Sequence, residues 1–165
     1  MDTAINVSRR TPGDRVVLAL ASTFGLGYLP VAPGTYGTLA AIPLWYAMST
    51  LPWWAFALVT LVAIMVAIWV AGLAERIYGS HDVQHIVIDE VVGLLVTVIG
   101  VPFAWPEVLM AFVLFRLLDS VKPGPIRWID RHMTGGKGVV LDDVAAGVVG
   151  CVALHLARLF LGGWW

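Results

Sequence analysis

Between Val16 and Ala74 the chain carries no Asp, Glu, Lys, Arg or His, and beyond that point apolar runs alternate with short polar junctions. An uncharged stretch of that length exceeds any core element of a soluble domain and suits membrane-crossing helices, each of which needs about 20 apolar residues. The pattern is interrupted at 24–38, FGLGYLPVAPGTYGT, where four glycines and two prolines argue against a regular helix. Irregular backbone in an apolar setting has to be buried in protein or line a wet cavity, because its amides find no partner in lipid. Two helical arms follow, at 38–50 and 53–73, with Leu51-Pro52 as the turn and Trp45, Trp53 and Trp54 as interface anchors. Glu75, Arg76, His81, Asp82 and His85 mark the return to a polar side.

Val91 to Leu118 is 28 residues, too many for one span and too few for two. The spacing predicts a hairpin whose tip, set by Pro102 and Pro106, lies near Ala104, so that Asp89 and Asp119, each fifteen residues from the tip, return to one depth. After the break Lys122-Pro123-Gly124-Pro125, residues 126–133 read as a short interfacial helix, with Trp128 toward lipid and Arg127, Asp130 and Arg131 toward water. A flexible basic loop, Gly135-Gly136-Lys137-Gly138, then leads to a last helix from Val144 to about Leu161, headed by Asp142-Asp143 and followed by Gly162, Gly163 and two Trp. At 1.5 Å per residue its eighteen residues just cross, at about 27 Å, with His155 and Arg158 snorkelling outward at the far end. The expected fold is all-α, a polytopic integral membrane helical bundle with broken or re-entrant helices and short interfacial helices. Residues 1–15 are expected to form a flexible cytoplasmic tail, without the pattern of a cleavable signal, and 16–165 a single membrane-embedded domain.

Composition agrees with that class: 59% of the 165 residues are hydrophobic, 13% are charged and the mean hydropathy is +0.86, outside the soluble norm. A net charge of −1 gives no general positive field for nucleic acid, and one Cys excludes an intrachain disulfide framework. His81 and His85, four apart without an H-E-x-x-H motif, are weak zinc candidates.

The chemistry concentrates at 115–143, which holds nine of the twenty-one charged residues. Asp89, Glu90, Asp119, Asp142 and Asp143 all fall where apolar helices meet polar segments. Each alone has an ordinary structural explanation: charge near a helix N-terminus, an N-cap, or, for Asp119, a pair with Arg116 three residues away. Together they repel unless something neutralises them. Oxygen ligands without a Cys or His set suit Mg²⁺, Mn²⁺ or Ca²⁺. Arg116, Lys122, Arg127 and Lys137 are placed to clamp phosphate, or else to serve the positive-inside rule and anionic lipid heads. A helix starting near Thr35, with Gly34, Thr35 and Thr38 in the Gly-rich stretch, would aim backbone N–H groups at an anion. These are the parts of a metal-assisted phosphoryl site at a membrane surface.

Several phosphatase chemistries are excluded by spelling. Cys151 and Arg158 form C-x6-R instead of C-x5-R, there is no D-x-D-x-[TV], the K-x6-R-P signature with its catalytic His is missing, and so is the CDP-alcohol phosphotransferase pattern. What is present is Pro30-x-x-Pro33-Gly34-Thr35-x-Gly37-Thr38, Ile88-Asp89-Glu90-x-x-Gly93, Phe115-Arg116-x-x-Asp119-x-x-Lys122-Pro123-x-Pro125-Ile126-Arg127, and Gly135-Gly136-x-Gly138-x-x-x-Asp142-Asp143-x-x-Ala146-Gly147. In content and order these blocks resemble the phosphatidylglycerophosphatase A family. The resemblance implies a bacterial inner-membrane, Mg²⁺-dependent hydrolase that converts phosphatidylglycerophosphate to phosphatidylglycerol and phosphate, with the site facing the cytoplasm. It implies catalytic and metal-binding roles for Asp89, Glu90, Asp119, Asp142 and Asp143, and phosphate-binding roles for Gly34, Thr35, Thr38, Arg116, Lys122, Arg127 and Lys137. Two departures, Gly124 for a bulky aromatic and Thr38 for Ser, remove no carboxylate. The alternatives are a small membrane lipid- or anion-binding or transport protein, or another metal-dependent phospholipid head-group enzyme.

Overall fold

The computed structural model describes residues 10–80 and 83–160. Most of the expected tail, the pair His81 and Asp82, and the closing Gly162, Gly163 and two Trp lie outside the described residues. Helix α1 (Pro12–Ala21) begins inside the segment expected as tail. A capping box drives it: the Thr11 N–H donates to Asp14 Oδ2 at 2.8 Å and the Asp14 N–H donates to Thr11 Oγ1 at 3.2 Å. A short 3₁₀ turn (Leu26–Tyr28) leads to α2 (Pro33–Met48), followed by α3 (Trp53–Tyr78), α4 (Ile88–Thr97), α5 (Trp105–Val121), α6 (Gly124–His132) and α7 (Gly135–Phe160). The protein is all-helical, with no strand among the described residues.

Helices α3 and α7, 26 residues each, are long and apolar enough to cross a membrane. On α3, Trp54, Leu58, Leu61, Met65 and Trp69 are all exposed and recur at helical spacing, a continuous apolar face that water would not favour. Trp53 is exposed with them, but Trp45 is fully buried, edge-on to Phe103 at 5.0 Å, so it is a core residue and not an interface anchor. The expected hairpin is present as α4 and α5, with the prolines in and just after the connection.

Helix α4 is the spine, with 91–98 buried throughout, and it joins both hydrophobic clusters. One contains Trp45, Leu94, Phe115 and Leu154; the other contains Leu18, Ala71, Val92 and Val140. Its tightest partner is α7, where a Cβ on Gly147 would meet Gly93 O at 2.5 Å.

Glycine explains two further places where the observed elements depart from expectation. Half of the 24–38 stretch is helix, because Gly37 sits where α2 meets the start of α4 and a Cβ there would reach Val87 O at 2.6 Å. Likewise 135–138 is the first turn of α7 and not a flexible loop: Gly136 lies against α3, where a Cβ would meet Gly72 N at 2.5 Å. Close backbone packing outweighs the cost of about 1 kcal/mol that each glycine adds to a helix. Asp142 and Asp143 therefore stand inside a continuous helix, two turns from its start, which overturns an N-cap role for either.

Candidate active site

Five helices turn acidic or basic side chains into one cavity of about 690 Å³, and the start of α2 closes it. Helix α4 supplies Asp89 and Glu90, α7 supplies Asp142 and Asp143, and α5 with its cap supplies Arg116, Asp119 and Lys122. Gly34 on α2, Glu75 on α3 and Asp130 on α6 complete the polar wall. The hairpin brings Asp89 and Asp119 to the same cavity, as the fifteen-residue spacing predicts.

Asp89 and Glu90 lie in the first turn of α4, where unpaired helical N–H groups favour negative charge. Asp143 reaches the same point from α7. One oxygen each from Asp89, Glu90 and Asp143 lie within 4.8 Å of one another. Asp89 is 9%, Asp142 5% and Asp143 3% exposed, so repulsion among these acids is little screened. Asp89 Oδ1, Glu90 Oε2, Asp142 Oδ1 and Asp143 Oδ2 are buried without a hydrogen-bond partner among the described residues. Buried carboxylate oxygens without donors are costly, and a hard divalent cation is the ligand that this donor set fits.

Cationic side chains border the acids on one side. Arg116 Nη1 lies 2.9 Å from Asp119 Oδ2 and 4.0 Å from Glu90 Oε1. Gly34 makes room for that contact, since a Cβ there would clash with the Glu90 carboxylate and lie 3.1 Å from Arg116 Nη1. Lys122 Nζ donates to Asp130 Oδ1 at 2.5 Å and to Asp142 Oδ2 at 2.6 Å. Partial burial opposes its charge, but the two carboxylates outweigh that and hold its pKa above the ordinary lysine value. Lys122 also caps α5 at φ +45°, a left-handed conformation that costs a non-glycine residue about 1–3 kcal/mol. The two ion pairs hold it there. Lys122→Ala is expected to lower the thermal midpoint by leaving buried Asp142 without its cation, at a cost of about 1–3 kcal/mol; an unchanged melting curve would show that the tie is only superficial.

Of the residues expected to bind phosphate, Gly34, Arg116 and Lys122 line the cavity. Thr35, Thr38, Arg127 and Lys137 are not among its lining residues. Thr38 is fully buried and its hydroxyl donates to Gly34 O at 2.9 Å, while the Thr35 N–H donates to Ala32 O. Arg127 is exposed and donates to Val121 O at 3.0 Å, and Lys137 is exposed. His85 Nδ1 lies 2.9 Å from Gly27 O, with its ring against Tyr28 and away from the cavity wall. Two cavity carboxylates fall outside the expected site: Glu75, expected only to mark the return to a polar side, and Asp130, expected to face water. Glu75 has no local sequence signal of its own: it is buried only because the face it shares with Gly72 meets the start of α7.

The far end of the bundle is different. Arg158 on α7 turns inward to Glu107 on α5, Nε to Oε1 at 3.7 Å, instead of extending outward, and His155 Nδ1 lies 2.9 Å from Cys151 O.

Residues 19–158 match the sequence profile of the family described as phosphatidylglycerophosphatase A. The chain is 42% identical over 147 residues to the phosphatidylglycerophosphatase A of Escherichia coli K12, covering 88% of this chain and 83% of that protein. It is 34% identical over 144 residues to the protein of the same name from Haemophilus influenzae, covering 86% of this chain and 88% of that one. A Bacteroides thetaiotaomicron protein named as a candidate phosphatidylinositol-3-phosphatase is 37% identical over 153 residues, covering 87% and 94%. No solved structure matches. With the profile spanning nearly the whole described region, the chain belongs to the phosphatidylglycerophosphatase A family of phosphoric monoester hydrolases.

Proposed function

We propose that this chain hydrolyses the terminal phosphomonoester of phosphatidylglycerophosphate to phosphatidylglycerol and inorganic phosphate, with Mg²⁺ as cofactor, as a step of glycerophospholipid biosynthesis. The observation that carries the reading is the convergence of Asp89, Glu90 and Asp143 on one wall of the cavity, with buried oxygens that lack donors among the described residues. These three would hold the ion, with Asp119 and Asp142 beside it. Bound there, Mg²⁺ would supply positive charge against the phosphate oxygens and lower the pKa of a water.

The chain's own groups do the rest. Arg116, oriented by Asp119, presents its guanidinium to a phosphate oxygen and opposes the charge that builds in the transition state. Gly34 allows the α2 N-terminus to approach. A carboxylate of the cluster accepts the proton of the attacking water; the P–O bond to the glycerol breaks, and the leaving oxygen takes up a proton to become the head-group hydroxyl. Among the described residues no Ser, Cys or His lines the cavity, and with its carboxylates placed to hold the ion and accept a proton, direct attack by water is the step these residues fit.

The same reading makes 16–165 one membrane-embedded, multi-pass domain in a bacterial inner membrane. Helices α3 and α7 cross it, and the α4–α5 hairpin enters as shorter or tilted segments. Arg10, whose guanidinium lies over the Tyr78 ring, and exposed Arg76, Arg127 and Arg131 gather near the acid end of the bundle, which by the positive-inside rule is cytoplasmic.

The deciding assay is phosphate release from phosphatidylglycerophosphate in detergent micelles. Release with Mg²⁺, loss in excess EDTA and recovery on adding Mg²⁺ back are the expected results. A folded protein that releases no phosphate would refute the substrate, and release that persists in EDTA would refute the cofactor while leaving the substrate in place.

A further inference from the structure

Arg127, Arg131 and Lys137 are exposed, and none of them lines the acid cavity. Helix α6 carries the two arginines on one outward face. Arg127 and Arg131 are four residues apart, and so are Trp128 and His132, whose rings stack at 4.7 Å. The other face holds α6 to the bundle: Ile126 is fully buried, and Asp130 accepts a hydrogen bond from Lys122 Nζ at the cavity. Asp130 is the helix's one acid, so its engagement there leaves no acid of α6 beside the outward arginines. Trp128 is 58% exposed between them, a large apolar area to leave in water.

Contacts with α7 fix the depth of α6. Lys122, two residues before the helix, donates to Asp142 Oδ2, and Met133, just after it, lies against Gly138, where a Cβ would meet Met133 O at 2.5 Å. Gly138 and Asp142 are four residues apart, about 6 Å along α7. With α7 crossing as proposed, eighteen residues and about 27 Å separate Asp142 from Phe160, which puts Asp142 at the edge of a hydrocarbon core about 30 Å thick. Head groups add roughly 5–8 Å on each side of that core. Helix α6 therefore lies at the depth of the head groups, where an indole is favoured and a guanidinium meets phosphate oxygens.

We infer that the outward face of α6 docks on an anionic leaflet, with Arg127 and Arg131 paired to lipid phosphates and Trp128 among the head groups, and that this contact favours capture of the lipid substrate. Lys122 links the docked helix to the acid cavity, since Asp130 on α6 and buried Asp142 on α7 share its ammonium. An acidic protein would suit the arginines alone; the depth and the exposed indole favour lipid. The inference rests on the membrane placement proposed above, and the docking itself is independent of which phosphate is hydrolysed.

The test uses the full chain reconstituted in phosphatidylcholine bilayers with and without phosphatidylserine. Backbone hydrogen exchange over 124–132 reads docking without any catalysis, and KM for phosphatidylglycerophosphate reads its consequence. Phosphatidylserine is expected to slow exchange in α6 and to lower KM about tenfold with kcat little changed, and high salt to remove both effects. Arg127→Gln with Arg131→Gln should lose both effects, and Arg127→Lys with Arg131→Lys should keep most of them. Arg127 also donates to Val121 O, so Arg131→Gln alone, which leaves the end of α5 undisturbed, should lose part of each. Exchange in α6 that ignores phosphatidylserine, or a lipid effect kept in full by the double Gln variant, would overturn the docking. Slowed exchange in a folded protein that releases no phosphate would overturn the phosphatase reading and leave the docking in place. Extraction of the protein from membranes by alkaline carbonate would overturn the placement, and the docking with it.

Discussion

Asp143→Asn is expected to reduce phosphate release on the order of 10³-fold while making the metal-free protein more stable. The two effects share one cause. Asp143 is 3% exposed and supplies one of the three converging oxygens, so its charge is needed to hold a cation and is costly without one. Replacing it by an amide of the same shape removes one member of a mutually repelling set, a gain of about 1–2 kcal/mol typical of relieving strain at a functional site. Thermal denaturation in EDTA should therefore give the variant the higher midpoint. Mg²⁺ should raise the midpoint of wild type and not of Asp143→Asn, because only a ligand that binds the folded state stabilises it. Undiminished release by the variant would remove Asp143 from the site.

The second large effect is expected far from any charge. Gly147→Val should destabilise the protein by more than the roughly 1–3 kcal/mol typical of overpacking, and should also lower activity in whatever fraction still folds. A Cβ at Gly147 would lie 2.5 Å from Gly93 O and 2.9 Å from Val96 Cβ, so α4 and α7 would have to separate. Asp89 and Glu90 ride on one of these helices and Asp143 on the other, and a displacement of about 1 Å between catalytic groups can cost on the order of 100-fold in rate. Gly13→Ala on α1 is the control, since the nearest atom to the new methyl would be Thr11 Oγ1 at 3.7 Å. A Gly147→Val protein that melts and turns over like wild type would mean that the two helices do not need this contact to align the acids.

The positions of the acids were legible in the sequence wherever chain geometry allowed little choice. Pro102 and Pro106 fix the hairpin tip, so counting alone returns Asp89 and Asp119 to one depth. Glycine was the opposite case. The runs at 24–38 and 135–138 carry the composition of loops, and only the facing backbones, Val87 for Gly37 and Gly72 for Gly136, show that these glycines permit close helix packing. That information is long-range and has no local signature. The same holds for Trp45, whose neighbour Phe103 is remote in sequence and takes it out of the interface. Glu75 reads in the sequence as the exit of an apolar helix into water, and its burial depends on where α7 begins. Thr38 looks like a phosphate ligand beside Gly34, but its hydroxyl bonds to the carbonyl one turn back.

On the membrane-spanning reading proposed above, the continuity of α7 through Asp142 and Asp143 ties the chemistry to the bilayer itself. The helix runs unbroken to Phe160, seventeen residues beyond Asp143, or about 26 Å at 1.5 Å per residue. Hydrocarbon cores are about 30 Å thick, and a helix answers hydrophobic mismatch by tilting or by deforming the lipid around it. With the Phe160 end seated at the opposite interface, the acids cannot rise fully into water; they are carried at a fixed distance on a rigid rod. In a thicker bilayer they sink relative to the phosphate they must meet, and in a thinner one they rise toward it. If α7 spans the bilayer as proposed, acyl-chain length and lipid order become control variables for the enzyme, acting through depth with no ligand bound.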